Sequence, residues 1–241
     1  LNALAIAAVA SVSSLTFADA PTSPHTVSGN IGILSSYVLR GNTAGLENSG
    51  ATINGGLDYE HASGFYAGYW GSTLDYGLGG SEFEHDFYLG YNGAINDDLA
   101  YQVGLTYYYY YDIGTSAADG FESILGLTYK DFGVTAQTLL EDTSWGNTGD
   151  TYILGSYSYG LPQDFSLNTS LGLYYNNDSG KYEGISYETK EDFSFRHLTV
   201  GLSKPIAETG VTASMDYIIG GKLRDETDLK NKVVFGLSYS F

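Results

Sequence analysis

The last nine residues, Val233–Phe241, alternate in size. Large apolar or aromatic side chains stand at 233, 235, 237, 239 and 241, and from Gly236 on the residues between them are small: Gly236, Ser238 and Ser240. Successive side chains of a strand point to opposite faces of its sheet. One face of this segment is therefore greasy and the other small and mildly polar. Two architectures accept such a strand. A soluble sandwich buries the greasy face, whereas a transmembrane barrel turns it outward to lipid and keeps the small residues for the lumen.

The same period recurs upstream in alternating runs separated by turn chemistry. These runs are Val27–Arg40, Ala51–Glu60, Phe65–Asp75, Glu82–Asn92, Leu99–Tyr111, Phe121–Tyr129, Gly133–Leu140, Thr151–Tyr159, Phe165–Tyr175, Phe193–Ser203 and Val211–Ile219. With the terminal strand they predict about 12 strands. Connections near 62, 97, 131, 162 and 206 are short, and the others are generally longer and carry much of the acid. Short turns at one end, longer loops at the other and an even strand count predict an all-β fold, a transmembrane antiparallel up-and-down β-barrel. In it the strand from Val27 pairs with the last strand, and both chain ends of the barrel lie on the short-turn, periplasmic side.

One run departs from strict alternation. Phe193 and Phe195 have opposite parity to Leu198, Val200 and Leu202. A bulge near His197, or a later start to the strand, restores the pattern. Parity is also ambiguous around Tyr69 and Trp70. No stretch after the first 17 residues is long and apolar enough for a spanning helix. A closed barrel pairs its backbone groups between strands and needs only half-apolar segments to cross lipid.

Residues 1–17 form an apolar run rich in small residues, followed by Asp19, Pro21 and Pro24. They resemble the core of a secretory signal. Cleavage after Ala18 is favoured over cleavage after Ala20, which would leave Pro21 at the start of the mature chain; a membrane anchor is the alternative. The expected organisation is a signal peptide at 1–18, a periplasmic tail at 19–26 and a barrel at 27–241.

Composition narrows the function classes. The chain of 241 residues carries a formal net charge of −18, with only 10 Lys and Arg and no basic patch. That excludes a nucleic-acid partner as the natural reading. Its 23 tyrosines suit a boundary where one end of the ring is apolar and the other wet. There is no cysteine, no histidine pair at ligand spacing and no calcium-loop motif, so no metal or cofactor is expected. No G-x-S-x-G elbow accompanies His25, His61, His85 and His197, and no enzyme is expected.

Several local runs are familiar. Ser35-Ser36-Tyr37-Val38-Leu39-Arg40-Gly41, the block from Gly55 to Ser72, Asp86-Phe87-Tyr88-Leu89-Gly90-Tyr91 and the tyrosines at 107–111 resemble segments of the TorF family of porins. The similarity is densest from 28 to 130. This chain has Ser36 where an acid is common in that family, and Asp112 where a proline is common. The resemblance implies an outer-membrane barrel of porin type, with no established substrate and no catalytic residues. The terminal aromatic, with Phe235, Leu237 and Tyr239 before it, similarly resembles the assembly signal by which such barrels meet the barrel-assembly machinery, ending here at Phe241.

Lumen parity assigns the candidate pore-lining residues: Arg40, Asp58, Glu60, Glu84, Asp86, Glu122, Lys130 and Asp216. Charged side chains around a pore set ion selectivity. An acid excess predicts a narrow, cation-preferring diffusion channel for small ions or solutes in the bacterial outer membrane, with Arg40 facing Asp58 or Glu84. The competing expectation is an ion-pair network that plugs a structural or surface-interaction barrel.

Overall fold

The computed structural model describes residues 23–241. The expected signal peptide and the tail as far as residue 22 lie outside the described residues. Twelve strands follow in order. They are β1 (His25–Leu34), β2 (Thr52–His61), β3 (Phe65–Thr73), β4 (Phe83–Asn96), β5 (Leu99–Tyr111) and β6 (Gly120–Tyr129). Then come β7 (Phe132–Leu139), β8 (Thr151–Gly160), β9 (Ser166–Tyr175), β10 (Phe193–Pro205), β11 (Val211–Gly220) and β12 (Lys232–Ser240). Every neighbour is antiparallel, and β1 pairs with β12 to close the barrel.

Alternation decides what each strand shows to each side. Ile31 and Ile33 on β1, Phe87 and Leu89 on β4, Leu125 and Leu127 on β6 and Phe235 and Leu237 on β12 are all exposed. The residues between them point inward. An exterior so densely apolar is unsuited to water and matches the lipid-facing band of a membrane barrel. The inward face carries the buried polar and charged groups, among them Glu84, Asp86, Gln102, Glu122, Gln137 and Arg196.

The parity break in β10 is a bulge, with the register against β9 shifting between Phe195 and His197. Phe193 and Phe195 stay on the exterior, and Arg196 and His197 are both buried on the inside. At Tyr69 and Trp70 the ambiguity resolves the same way: Trp70 is buried inside, and Tyr69 pairs across the sheet with the exterior Phe87.

The first strand is shorter than its alternation predicts. It ends at Leu34, and the segment 35–51 turns into the barrel. Tyr37 is completely buried against Trp70, Tyr108 and Tyr110 from β3 and β5. Val38 packs on Ile218 and Val234 from β11 and β12. This one segment therefore touches opposite arcs of the inner wall. A 3-10 turn at Leu39–Gly41 follows, with Arg40 at φ 47° and Gly41 at φ 70°. Arg40 is thus carried by an inserted loop and does not extend β1.

Candidate functional site

The inserted turn delivers Arg40 to the far wall. Its two terminal nitrogens donate to the two carboxylate oxygens of Glu122 at 2.8 and 2.5 Å. Nη2 also donates to Gln137 Oε1 at 2.7 Å and to the Tyr108 hydroxyl at 3.4 Å, and Nη1 donates to the Tyr174 hydroxyl at 3.3 Å. The Tyr152 ring lies 5.0 Å from the guanidinium carbon. Tyr108 donates to Glu122 at 2.8 Å, so the carboxylate is held from two directions. One loop residue thereby meets β5, β6, β7, β8 and β9. A planar guanidinium matches a carboxylate in this two-pronged way, which fixes its orientation as well as its position.

A second ring of contacts lies above, at the long-loop end. Arg224, in the connection 221–231, donates to Asp150 Oδ1 at 2.8 Å and stands 4.5 Å from the Tyr187 ring centre. Asn147 donates to Glu183 Oε2 at 2.8 Å and to the Asn177 carbonyl at 2.6 Å. The connections 140–150, 176–192 and 221–231 are thus tied to one another over the barrel mouth. Burial pushes the Asp150 carboxyl upward, although Arg224 and the Asn147 and Asn177 amides oppose it. Asp142, outside the wall, is held below the usual carboxylate range by bonds from Thr148 and Lys181.

The other residues assigned by parity divide into three groups. Glu84, Asp86 and Glu122 are buried on the inner wall. Glu84 accepts from Tyr110 at 3.2 Å, and Asp58 accepts from the Tyr88 hydroxyl. Asp216 is half-buried at the inner wall of β11, against Gly201 of β10. Glu60 is exposed near the short-turn end of β2. Lys130 sits in the β6–β7 turn itself, exposed and 3.6 Å from Asp98, so it belongs to the rim and not to the lumenal face. Arg40 meets Glu122, not Asp58 or Glu84, because it reaches inward from a loop and not sideways from β1.

Sequence reasoning passed over Arg196, Arg224 and the inner tyrosines Tyr152 and Tyr174. For Arg196 the signal was present: the parity break implied that one residue beside His197 turns inward. At the seam, Phe241 exchanges both backbone hydrogen bonds with Gly29, at 2.9 and 3.0 Å. Its ring lies where a Cβ on Gly29 would stand.

Closure, strand number and an apolar exterior around a polar interior define a twelve-stranded barrel of the kind built by outer-membrane porins. The chain belongs to the Gcw_chp family, bacterial proteins of unknown function, whose profile matches residues 18–236. No curated protein sequence matches it. Among solved structures it is similar to the KdgM porin, with a TM-score of 0.57 and 11% identity over 89% of this chain and 99% of that one. It is also similar to an outer membrane channel from Pseudomonas putida F1, with a TM-score of 0.46 and 13% identity over 92% and 96%. The outer membrane phospholipase A from Escherichia coli gives 0.44 and 12% over 89% and 88%. At these identities the likeness concerns the fold alone.

Proposed function

We propose that the protein is a porin-like channel of the bacterial outer membrane, passing small ions or solutes by passive diffusion, narrow and cation-preferring, and not an enzyme. The observation that carries this reading is the closed barrel with charged side chains on its inner wall, against which the inserted turn sets Arg40. Carboxylates on that wall, at Asp58, Glu84, Asp86, Glu122 and Asp216, outnumber the guanidiniums of Arg40 and Arg196. Low-dielectric walls around such a set concentrate cations and repel anions. The resemblance of residues 28–130 to TorF porins and the likeness to the KdgM porin support a transport role. The inner-wall histidine, His197, contacts Tyr152 at 2.7 Å and Thr199 at 3.0 Å, which gives it no nucleophile–acid constellation.

Purified protein in a planar bilayer under a salt gradient tests the proposal. Conductance with a reversal potential of cation sign is the expected result, and anion preference would refute the charge argument. A second reading has its own observation: Arg40 ties the inserted segment to five strands, as a plug would. Reproducible electrical silence would favour that structural barrel.

A further inference from the structure

Three guanidiniums stand toward the long-loop end of the barrel, and two have carboxylate partners. Arg40 is bonded to Glu122 and Arg224 to Asp150. Arg196 is different. It is 8% exposed, yet among the described residues its guanidinium makes no ion pair or hydrogen bond; its Nε, like those of Arg40 and Arg224, is buried without an acceptor. What it has is an aromatic platform: its guanidinium carbon lies 4.6 Å from the Tyr174 ring centre. Tyr174 is itself fixed, because its hydroxyl accepts from Arg40. The neighbouring His197 cannot serve as partner, since both of its ring nitrogens are engaged by Tyr152 and Thr199. Ser194, two residues earlier on the same inner face of β10, carries a second buried polar atom without a partner, its Oγ.

A buried charge with no counter-charge is strongly unfavourable. Stacking on Tyr174 holds the guanidinium plane in place but supplies no acceptor for its N–H groups. The planar fork matches an oxyanion with two equivalent oxygens. We propose that Arg196, supported by Tyr174 and with Ser194 as an accessory donor, is a binding site for the carboxylate of a small solute in the lumen. This rests on the channel reading in one respect, that solutes reach the inner wall. In a lumen that is acidic overall, Arg196 offers an anionic group a buried and uncommitted guanidinium on the strand wall. A solute bearing a carboxylate rests there while the surrounding acids hold back simple anions.

The test is equilibrium binding, which needs no current. Full-length protein in detergent micelles at low ionic strength is titrated with sodium succinate by calorimetry, with choline chloride as the control salt. Saturable binding of succinate is expected. Arg196→Gln should weaken it by about tenfold or more, as for loss of a hydrogen bond to a charged group. Arg196→Lys should weaken it several-fold, because the charge remains and the fork is lost. Heat-modifiable gel migration reports whether each variant still closes its barrel; if Arg196→Gln does not, the lysine variant decides. Absence of saturable succinate binding to the wild type would overturn the proposal. So would unchanged affinity in whichever of these variants closes. Conductance measured in parallel separates the two readings. A silent barrel that binds succinate through Arg196 keeps the site and removes the channel; a conducting barrel that binds none keeps the channel and removes the site.

Discussion

Arg40 and Glu122 meet at 2.5 Å across the lumen, 82 positions apart in the chain. Both side chains are almost wholly buried, at 8% and 1% exposed. Removing one partner of such a pair strands the other charge and costs about 3–5 kcal/mol. Arg40→Met should therefore lower the unfolding temperature of the closed form markedly, and Glu122→Gln should do so by a similar route. The double variant should be less destabilised than the sum of the two, because neither charge is left alone. Additive effects would mean that the pair is not coupled. If the proposed channel conducts, Arg40→Met should raise both conductance and cation preference in the bilayer, since the lumen loses an inward cation.

Gly41 offers an independent handle on the same turn. Its φ is 70°, a conformation that suits glycine, and a Cβ there would stand 2.5 Å from the His197 ring. Gly41→Ala must either distort the turn or push His197 from its bonds to Tyr152 and Thr199. We expect a loss of about 1–3 kcal/mol, typical of strain at such positions. The conductance change should resemble that of Arg40→Met, because Arg40 is the adjacent residue. Wild-type stability together with wild-type conductance would show that the turn tolerates a side chain.

Much of the barrel was legible because a period of two has few solutions when it recurs along a whole chain with loops sorted by length. The bulge beside His197 was legible for the same reason: two phenylalanines on the wrong parity leave little else to infer. Arg40 was less so. Ser35–Arg40 continue the alternation of β1, yet Tyr37 is fully buried inside. Alternation distinguishes two faces of an extended segment but does not mark where the backbone leaves the sheet. The partnership of Arg40 with Glu122 arises from closure, which brings a loop after β1 against β6, and no local spacing encodes it. Lys130 shared parity with the wall but belongs to the turn, where parity has no meaning.

Acid should loosen the outer loops before it opens the barrel. Asp142 accepts from the Thr148 amide, the Thr148 hydroxyl and the Lys181 amide, each at 2.8 Å, joining the connections 140–150 and 176–192. These bonds hold its carboxyl below the usual range. Burial raises Glu183, but bonds from Asn147 and Thr189 outweigh it and leave this carboxyl lowered too. A carboxyl lowered in the folded state contributes stability above its unfolded value, and that stability is lost as pH falls through the folded value. Asp150, raised by burial, works in the opposite direction and offsets part of the loss. Trp145 lies in the first of these loops and donates to the Ala118 carbonyl at 2.8 Å. Its emission, isolated in a Trp70→Phe background, should shift to the red below about pH 4, the ordinary carboxylate range. Asp142→Asn should remove much of that transition, and the heat-modifiable band should persist through it. Collapse of band and fluorescence together would show that loops and barrel form one acid-sensitive unit.

The seam between β1 and β12 carries the final prediction. The end of β12 pairs with β1 from Asn30↔Ser240 to Leu34↔Gly236, and Phe241 extends the seam by two backbone bonds to Gly29. The Phe241 ring occupies the space over Gly29, within reach of Leu57 on β2, so an aromatic covers a glycine that offers no side chain of its own. Phe241→Ser keeps the backbone bonds possible and removes the cover. If the terminal aromatic serves assembly, as its resemblance to known barrel signals implies, the variant should insert less protein into the outer membrane while the molecules that do fold keep a near-normal melting temperature. If the ring acts only as packing, the level should hold and the melting temperature should fall. Gly29→Val separates the two further, because its side chain would meet the Phe241 ring without altering the terminal residue. A lowered level in Phe241→Ser but not in Gly29→Val assigns the residue to recognition during assembly; equal losses in both assign it to closing the seam.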